Sequence, residues 1–176
     1  MRRSIGQPFE ARGVSQDEFD TLVAAHHSEI YTYLALVTGR ASDAHDLSQR
    51  TFLRAFETRR SLGLGALARL RLFGIATDLC RTCLRSRSSL PRELRSRVVD
   101  KHPLLSAIAS LPIKQRMAFA LRKIHEFDYE GVGHLLRCSS QSARVSVMQA
   151  FRKVSEVRSA SSTAGPLITT EPTVKE

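Results

Sequence analysis

From Phe127 to Lys153 the chain reads FDYEGVGHLLRCSSQSARVSVMQAFRK, and its apolar residues recur at the spacing of two α-helices parted by three residues. Val132, Leu135 and Leu136 fall on one face of the first helix, which Asp128 can cap. After the polar break Arg137-Cys138-Ser139, Ser139 or Ser140 can cap a second helix with Ala143, Val147, Ala150 and Val154 on its inner side. The other side then carries Gln141, Arg144, Ser146, Gln149 and Lys153. This spacing predicts a helix-turn-helix, in which one helix braces and the other offers hydrogen-bonding side chains to a DNA major groove. An ordinary helical hairpin with a solvated face fits the same pattern.

The rest of the chain is also patterned as helix. Residues 1–14 read as a loose, disordered tail. Ser15-Gln-Asp-Glu18 is a capping box, and Phe19, Leu22, Val23, His26, Ile30, Tyr33, Leu34 and Val37 follow at helical spacing up to a stop at Gly39. Ser42 or Asp43 is the expected cap of a second helix carrying Leu47, Thr51, Phe52, Ala55 and Phe56. The stretch Ser61–Gly65 breaks the pattern, and a third helix carries Leu67, Leu70, Ile75, Leu79, Cys83 and Leu84. Residues 87–103 are basic, serine-rich and bounded by prolines, the composition of a flexible linker. Beyond them Pro112 fits a helix's first turn, with Ile113, Met117, Ala120, Leu121 and Ile124 as its inner face. Residues 159–176 are small, polar and proline-containing, and read as a disordered tail. No useful run has a strand's period. The expected architecture is all-α: two small helical domains, at 15–86 and 104–158, joined by a flexible basic linker.

Charge and composition narrow the function. The 176 residues carry a net charge of +10. Between Thr58 and Arg97 ten arginines stand against Asp78 and Glu93. That density suits a polyanion, because arginines that neutralise phosphates release condensed counterions; an acidic lipid surface, or plain solvation, is the competing account. No apolar run reaches the ~20 residues that span a bilayer, and the N-terminus lacks a signal peptide's apolar segment, so a cytoplasmic protein without membrane insertion is expected. Cys80 and Cys83 have the spacing of a metal or redox pair but lie within an expected helix and lack a second ligand pair; small buried cysteines are the better account. No phosphate-cradling glycine loop or nucleophile elbow is present. Neither enzymatic activity, nor a cofactor, nor a metal is expected.

Several spaced strings resemble the extracytoplasmic-function (ECF) sigma factors of bacteria. The run from Asp43 to Phe56, DAHDLSQRTFLRAF, is similar to that family's DAEDLVQETFLRAF. Leu72-Phe-Gly-Ile-Ala76 resembles its LYRIA string, Leu111-Pro-Ile-Lys-Gln-Arg116 its LPxxQR, and Tyr129-Glu130 stands where the family has YEE. The resemblance runs from Phe19 to Val157. It implies that the first domain docks on the clamp helices of core RNA polymerase through Asp43, Asp46, Leu47, Gln49 and Arg50, with the polymerase flap as a further contact. It implies that the loop near Arg59 to Ala66 captures the opened promoter −10 element, with Arg59, Arg60, Arg69, Arg71, Arg81 and Arg85 supplying charge along the strand. The second domain is implied to bind the −35 element through Ser140, Gln141, Arg144, Ser146, Gln149 and Lys153, and an anti-sigma factor is implied as a regulatory partner.

The chain departs from the family strings at functional places. Arg50 replaces an acid, Arg71 a tryptophan and Ser146 an arginine. Arg137 takes the usual glycine of the turn, where a side chain meets a strained backbone. Gly131 replaces the second glutamate of YEE, which removes a reciprocal cap. Two further functions fit the same residues: a sigma-like decoy that occupies an anti-sigma factor, and a helix-turn-helix regulator that acts without polymerase.

Overall fold

The computed structural model describes residues 14–88 and 103–163, and within them every regular element is helical. Helix α1 (Gln16–Thr38) starts at the expected capping box: Ser15 Oγ accepts from the Glu18 amide, and the Glu18 carboxylate accepts from the Ser15 amide at 2.8 Å. Gly39 ends it in a left-handed conformation. Helix α2 (Ala41–Glu57) begins earlier than its sequence suggests. Arg40 is the N-cap and bonds no backbone amide through its side chain. Asp43 therefore lies in the first turn, where its charge meets the positive end of the helix dipole.

The expected loop at Arg59 to Ala66 is largely helical. A short α3 (Arg59–Leu62) is followed by Gly63 and Leu64, and α4 runs from Gly65 to Ser88. Gly63 has φ +73°, a conformation that favours glycine. Val14, placed in the tail by its sequence, is buried, and its amide donates to the Arg59 carbonyl.

The second half comprises α5 (Pro103–Ser110), α6 (Ile113–Phe119), a π-helical turn (Ala120–Ile124), α7 (Tyr129–Leu136) and α8 (Ser140–Thr163). The π turn breaks the period read from the sequence at Ile124, and Ile113 stands at the open first turn of α6. Met117, Ala120 and Leu121 are buried as expected, but Ile113 and Ile124 are 39% and 46% exposed. The residues assigned to the linker lie almost wholly outside the described ones, as does most of each expected tail.

The two halves pack on one another. One continuous apolar cluster joins Tyr33, Leu72 and Phe73 of the first half to Met117, Leu121, Val132 and Val147 of the second. Phe73 is its aromatic hub, with ring centroids 5.4 Å from Tyr33, 4.9 Å from His125 and 4.9 Å from Phe127. Tyr33 Oη shares a 2.9 Å hydrogen bond with Thr77 Oγ1. Polar bonds also cross the junction. Arg69 grips the Glu29 carboxylate with two nitrogens, at 3.1 and 3.0 Å, and donates to the His125 carbonyl at 2.8 Å. Hydrogen bonding from Arg69 holds the Glu29 carboxyl below its ordinary range. Buried Arg116 donates to the Val37 carbonyl of α1 at 2.7 Å and to the Leu111 and Ala109 carbonyls of its own half.

His125 makes this junction acid-sensitive. Its ring is buried against Tyr33 and Phe73, and its Nε2 has no hydrogen-bond partner. Burial disfavours the imidazolium and lowers the ring's pKa from 6.5 to about 4. The unfolded chain therefore binds a proton that the folded chain refuses. The resulting stability is complete above the unfolded value and drains away as pH falls from there toward the folded one. Wild type is expected to lose on the order of 2 kcal/mol from this group between pH 7 and pH 4.5. His125→Phe should flatten that part of the profile in urea melts. The Glu29 contribution, which is lost only as pH falls through its own lowered value, stays in both proteins.

Candidate nucleic-acid interface

The helix-turn-helix forms where the sequence places it. Asp128 caps α7 by accepting from the Gly131 amide at 2.7 Å, and Ser139 caps α8 by accepting from the Ser142 amide at 3.1 Å. Arg137 adopts the left-handed conformation (φ 54°, ψ 51°), as the missing glycine demands, and its guanidinium pairs with Asp78 of α4 at 2.7 Å. Gly133 lets the turn close: a Cβ there would lie 2.7 Å from the Cys138 carbonyl oxygen. Val132, Leu135 and Leu136 face the core opposite Ala143 and Val147.

The outward face of α8 differs from the one read off the sequence. Ser140, Gln141, Arg144, Gln149 and Lys153 are exposed. Ser146 is not: it is buried, and its hydroxyl donates to the Ser142 carbonyl. At about 100° per residue it stands at the edge of the core stripe, beside Val147 and Ala150. In its place Val145 and Met148 face solvent, 44% and 62% exposed. Gln149 accepts from Gln115 of α6 at 2.9 Å. Arg122 and Arg144 both lie over the Tyr129 ring, and Lys123 over Phe151, so cations rim the helix.

The first half presents two further surfaces. On α2, Asp46, Gln49 and Arg50 are exposed, and Asp46 pairs with Arg50 at 3.6 Å. Leu47 is not available there, because it is 1% exposed and packs in the core. Leu53, one turn beyond Gln49 and 64% exposed, occupies the same face. Its position at i+4 from Gln49 is the signal in the sequence that pointed to it.

The arginines of the expected −10 surface are divided. Arg59 stacks on Phe56 and bonds the Phe56 carbonyl, while Arg60 is exposed beside it. Arg71, Arg81 and Arg85 fall within about 80° of arc on α4. Arg69 points the opposite way, into the junction, where Glu29 and His125 engage it. Arg81 and Arg85 meet Arg50, Arg54, Lys114 and Arg137 around a cleft of about 880 Å³ between the halves, with Asp78 as the one carboxylate among the described residues that line it. Of the paired cysteines, Cys80 is buried in the core, where desolvation pushes its thiol up to about 12.

Among the described residues, an all-helical fold with a capped helix-turn-helix and a cation-rimmed second helix has the form of a DNA-binding transcription protein. The model of Sigma-70, region 4 matches residues 101–154. The chain is 28% identical over 160 residues to RNA polymerase sigma factor CarQ of Myxococcus xanthus, covering 83% of this chain and 92% of CarQ. It is 28% identical over 148 residues to ECF RNA polymerase sigma factor SigE of Mycolicibacterium smegmatis, covering 73% of this chain and 57% of SigE. Its fold is that of the sigma factor RpoE from Bartonella quintana, solved with the anti-sigma factor NepR (TM-score 0.70, 18% identity, 81% of this chain and 98% of that one). It is also that of CnrH, solved with the cytosolic domain of CnrY (TM-score 0.63, 20% identity, 83% and 90%). Residues 101–154 thus match a region of sigma-70 proteins, and most of the chain is similar in sequence to ECF sigma factors. Among the described residues, no helix is long and apolar enough to cross a membrane.

Proposed function

We propose that this chain is a sigma factor of the ECF kind, which binds core RNA polymerase through the exposed face of α2 and directs it to promoters through α8 and the basic faces of α3 and α4. The observation that carries this reading is the pairing of two separate exposed surfaces on one chain. One is a mixed acidic and apolar face (Asp46, Gln49, Leu53); the other is the cation-rimmed recognition helix. A plain helix-turn-helix regulator has no use for the first. A carboxylate beside an apolar anchor suits a basic helical partner such as the polymerase clamp. The α8 face engages the −35 duplex, and Arg59, Arg60, Arg71, Arg81 and Arg85 follow the −10 strand. An anti-sigma partner, of the kind with which RpoE was solved, is part of the same reading.

Run-off transcription with purified bacterial core polymerase tests it. Wild type is expected to yield promoter-dependent transcripts. Asp46→Arg, at an exposed site, should cut polymerase association and transcript yield at least about tenfold, because like charges at a docked face cost more than 1.4 kcal/mol. Duplex binding by α8 should be unchanged. Equal transcription by the two proteins would remove α2 from the polymerase contact.

A further inference from the structure

We propose that Val145 and Met148 read thymine in the bound duplex, each by packing against a C5 methyl group in the major groove. The inference rests on the reading of α8 as a duplex-binding helix and names what that helix recognises. At about 100° per residue, Gln141, Val145, Met148 and Arg152 form one stripe within about 60° of arc, directly opposite the buried stripe of Ala143, Val147, Ala150 and Val154. The two apolar residues thus occupy the centre of the outward face rather than its margins, and both are substantially exposed.

Three of the polar residues around them are already committed. Ser146 turns inward to the Ser142 carbonyl. Gln149 is held by Gln115, which limits the two-pronged hydrogen bond a glutamine would make to adenine. Arg152 pairs with Glu156 at 3.1 Å. Between Gln141 at one end and the paired Arg152 at the other, the middle of the face is therefore left to two side chains that form no hydrogen bonds.

A base-pair edge offers one apolar feature in the major groove, the thymine methyl. Met148 is unbranched and can adapt to its position, whereas Val145 is rigid and fixes the register. The surroundings favour nucleic acid over a protein as the occupant. No acidic residue occurs between Ser140 and Ser155, and Lys123, Arg122, Arg144 and Lys153 stand beside or behind the stripe. The stripe is open to solvent while the two halves are docked, so the intact chain presents it without polymerase.

Duplexes of random sequence selected by the full-length chain at low salt supply the probe. The best-bound duplex is then resynthesised with deoxyuridine, which lacks only the methyl, at one thymine position at a time. At least one position is expected to weaken binding about fourfold, the worth of one buried carbon group. Val145→Ser and Met148→Ser should each bind the thymine duplex more weakly and lose the penalty at one position. Both sites are exposed, and an unchanged circular dichroism melt verifies that the variants fold. The proposal is overturned if deoxyuridine is tolerated at every position, or if both variants keep every penalty. Failure to select any duplex would overturn it together with the promoter role of α8. Tight binding without methyl sensitivity would overturn it alone.

Discussion

Phe73→Ala is expected to destabilise the entire described fold by about 4 kcal/mol, lowering the melting temperature by roughly 10 °C. Phe73 is fully buried, and its ring touches Tyr33 of α1, His125 beyond the π turn, and Phe127 ahead of α7, with the Arg69 guanidinium 5.2 Å from its centroid. Removing it leaves a cavity that no single element can collapse into, since its walls come from both halves. The loss should therefore register as one weakened transition, in far-UV and near-UV signals together. An unfolding free energy in urea within about 1 kcal/mol of wild type would mean that the two halves do not share this core.

Arg116→Met should cost about 3 kcal/mol and loosen the junction selectively. The buried guanidinium serves three carbonyls, those of Val37, Leu111 and Ala109. Methionine fills much of the volume but donates to none of them, and buried acceptors without donors carry their full desolvation cost. Arg116→Lys keeps the charge but lacks the planar fork, and should recover less than half of the loss. Amide hydrogen exchange at the C-terminal end of α1 and in α6 is the measurement: protection should fall there first. Unaltered protection in both segments would show that the Val37 bond does not hold α1 to α6.

The elements with strong local signals were legible from the sequence. The Ser15 capping box, the Asp128 and Ser139 caps, and the inner faces of α7 and α8 all follow from residue spacing and side-chain chemistry. The left-handed Arg137 was legible too, because a tight turn without its glycine forces some residue there. What the sequence concealed depends on contacts between distant residues. Nothing near Arg69 announces that Glu29, 40 positions away, will claim it. The burial of Leu47 and Ser146 turned on helix rotation of a few tens of degrees, finer than an apolar pattern resolves. Ile124 is exposed for another reason, since an uninterrupted α-helical period does not hold through a segment that widens, while Ile113 is exposed at the first position of α6, ahead of that segment.

That widened segment has a consequence for how the DNA-reading element is aimed. A π turn is equivalent to one additional residue slipped into an α-helix, so all that follows is rotated by roughly a quarter-turn relative to an unbroken helix. His125 and Phe127 reach the Phe73 hub from the far end of this insertion, and α7 and α8 hang from the same point. The bearing of the recognition helix is accordingly dialled in by a single surplus residue ahead of it. Deleting one residue between Ala120 and Ile124 would re-point the reading head while leaving its own chemistry untouched.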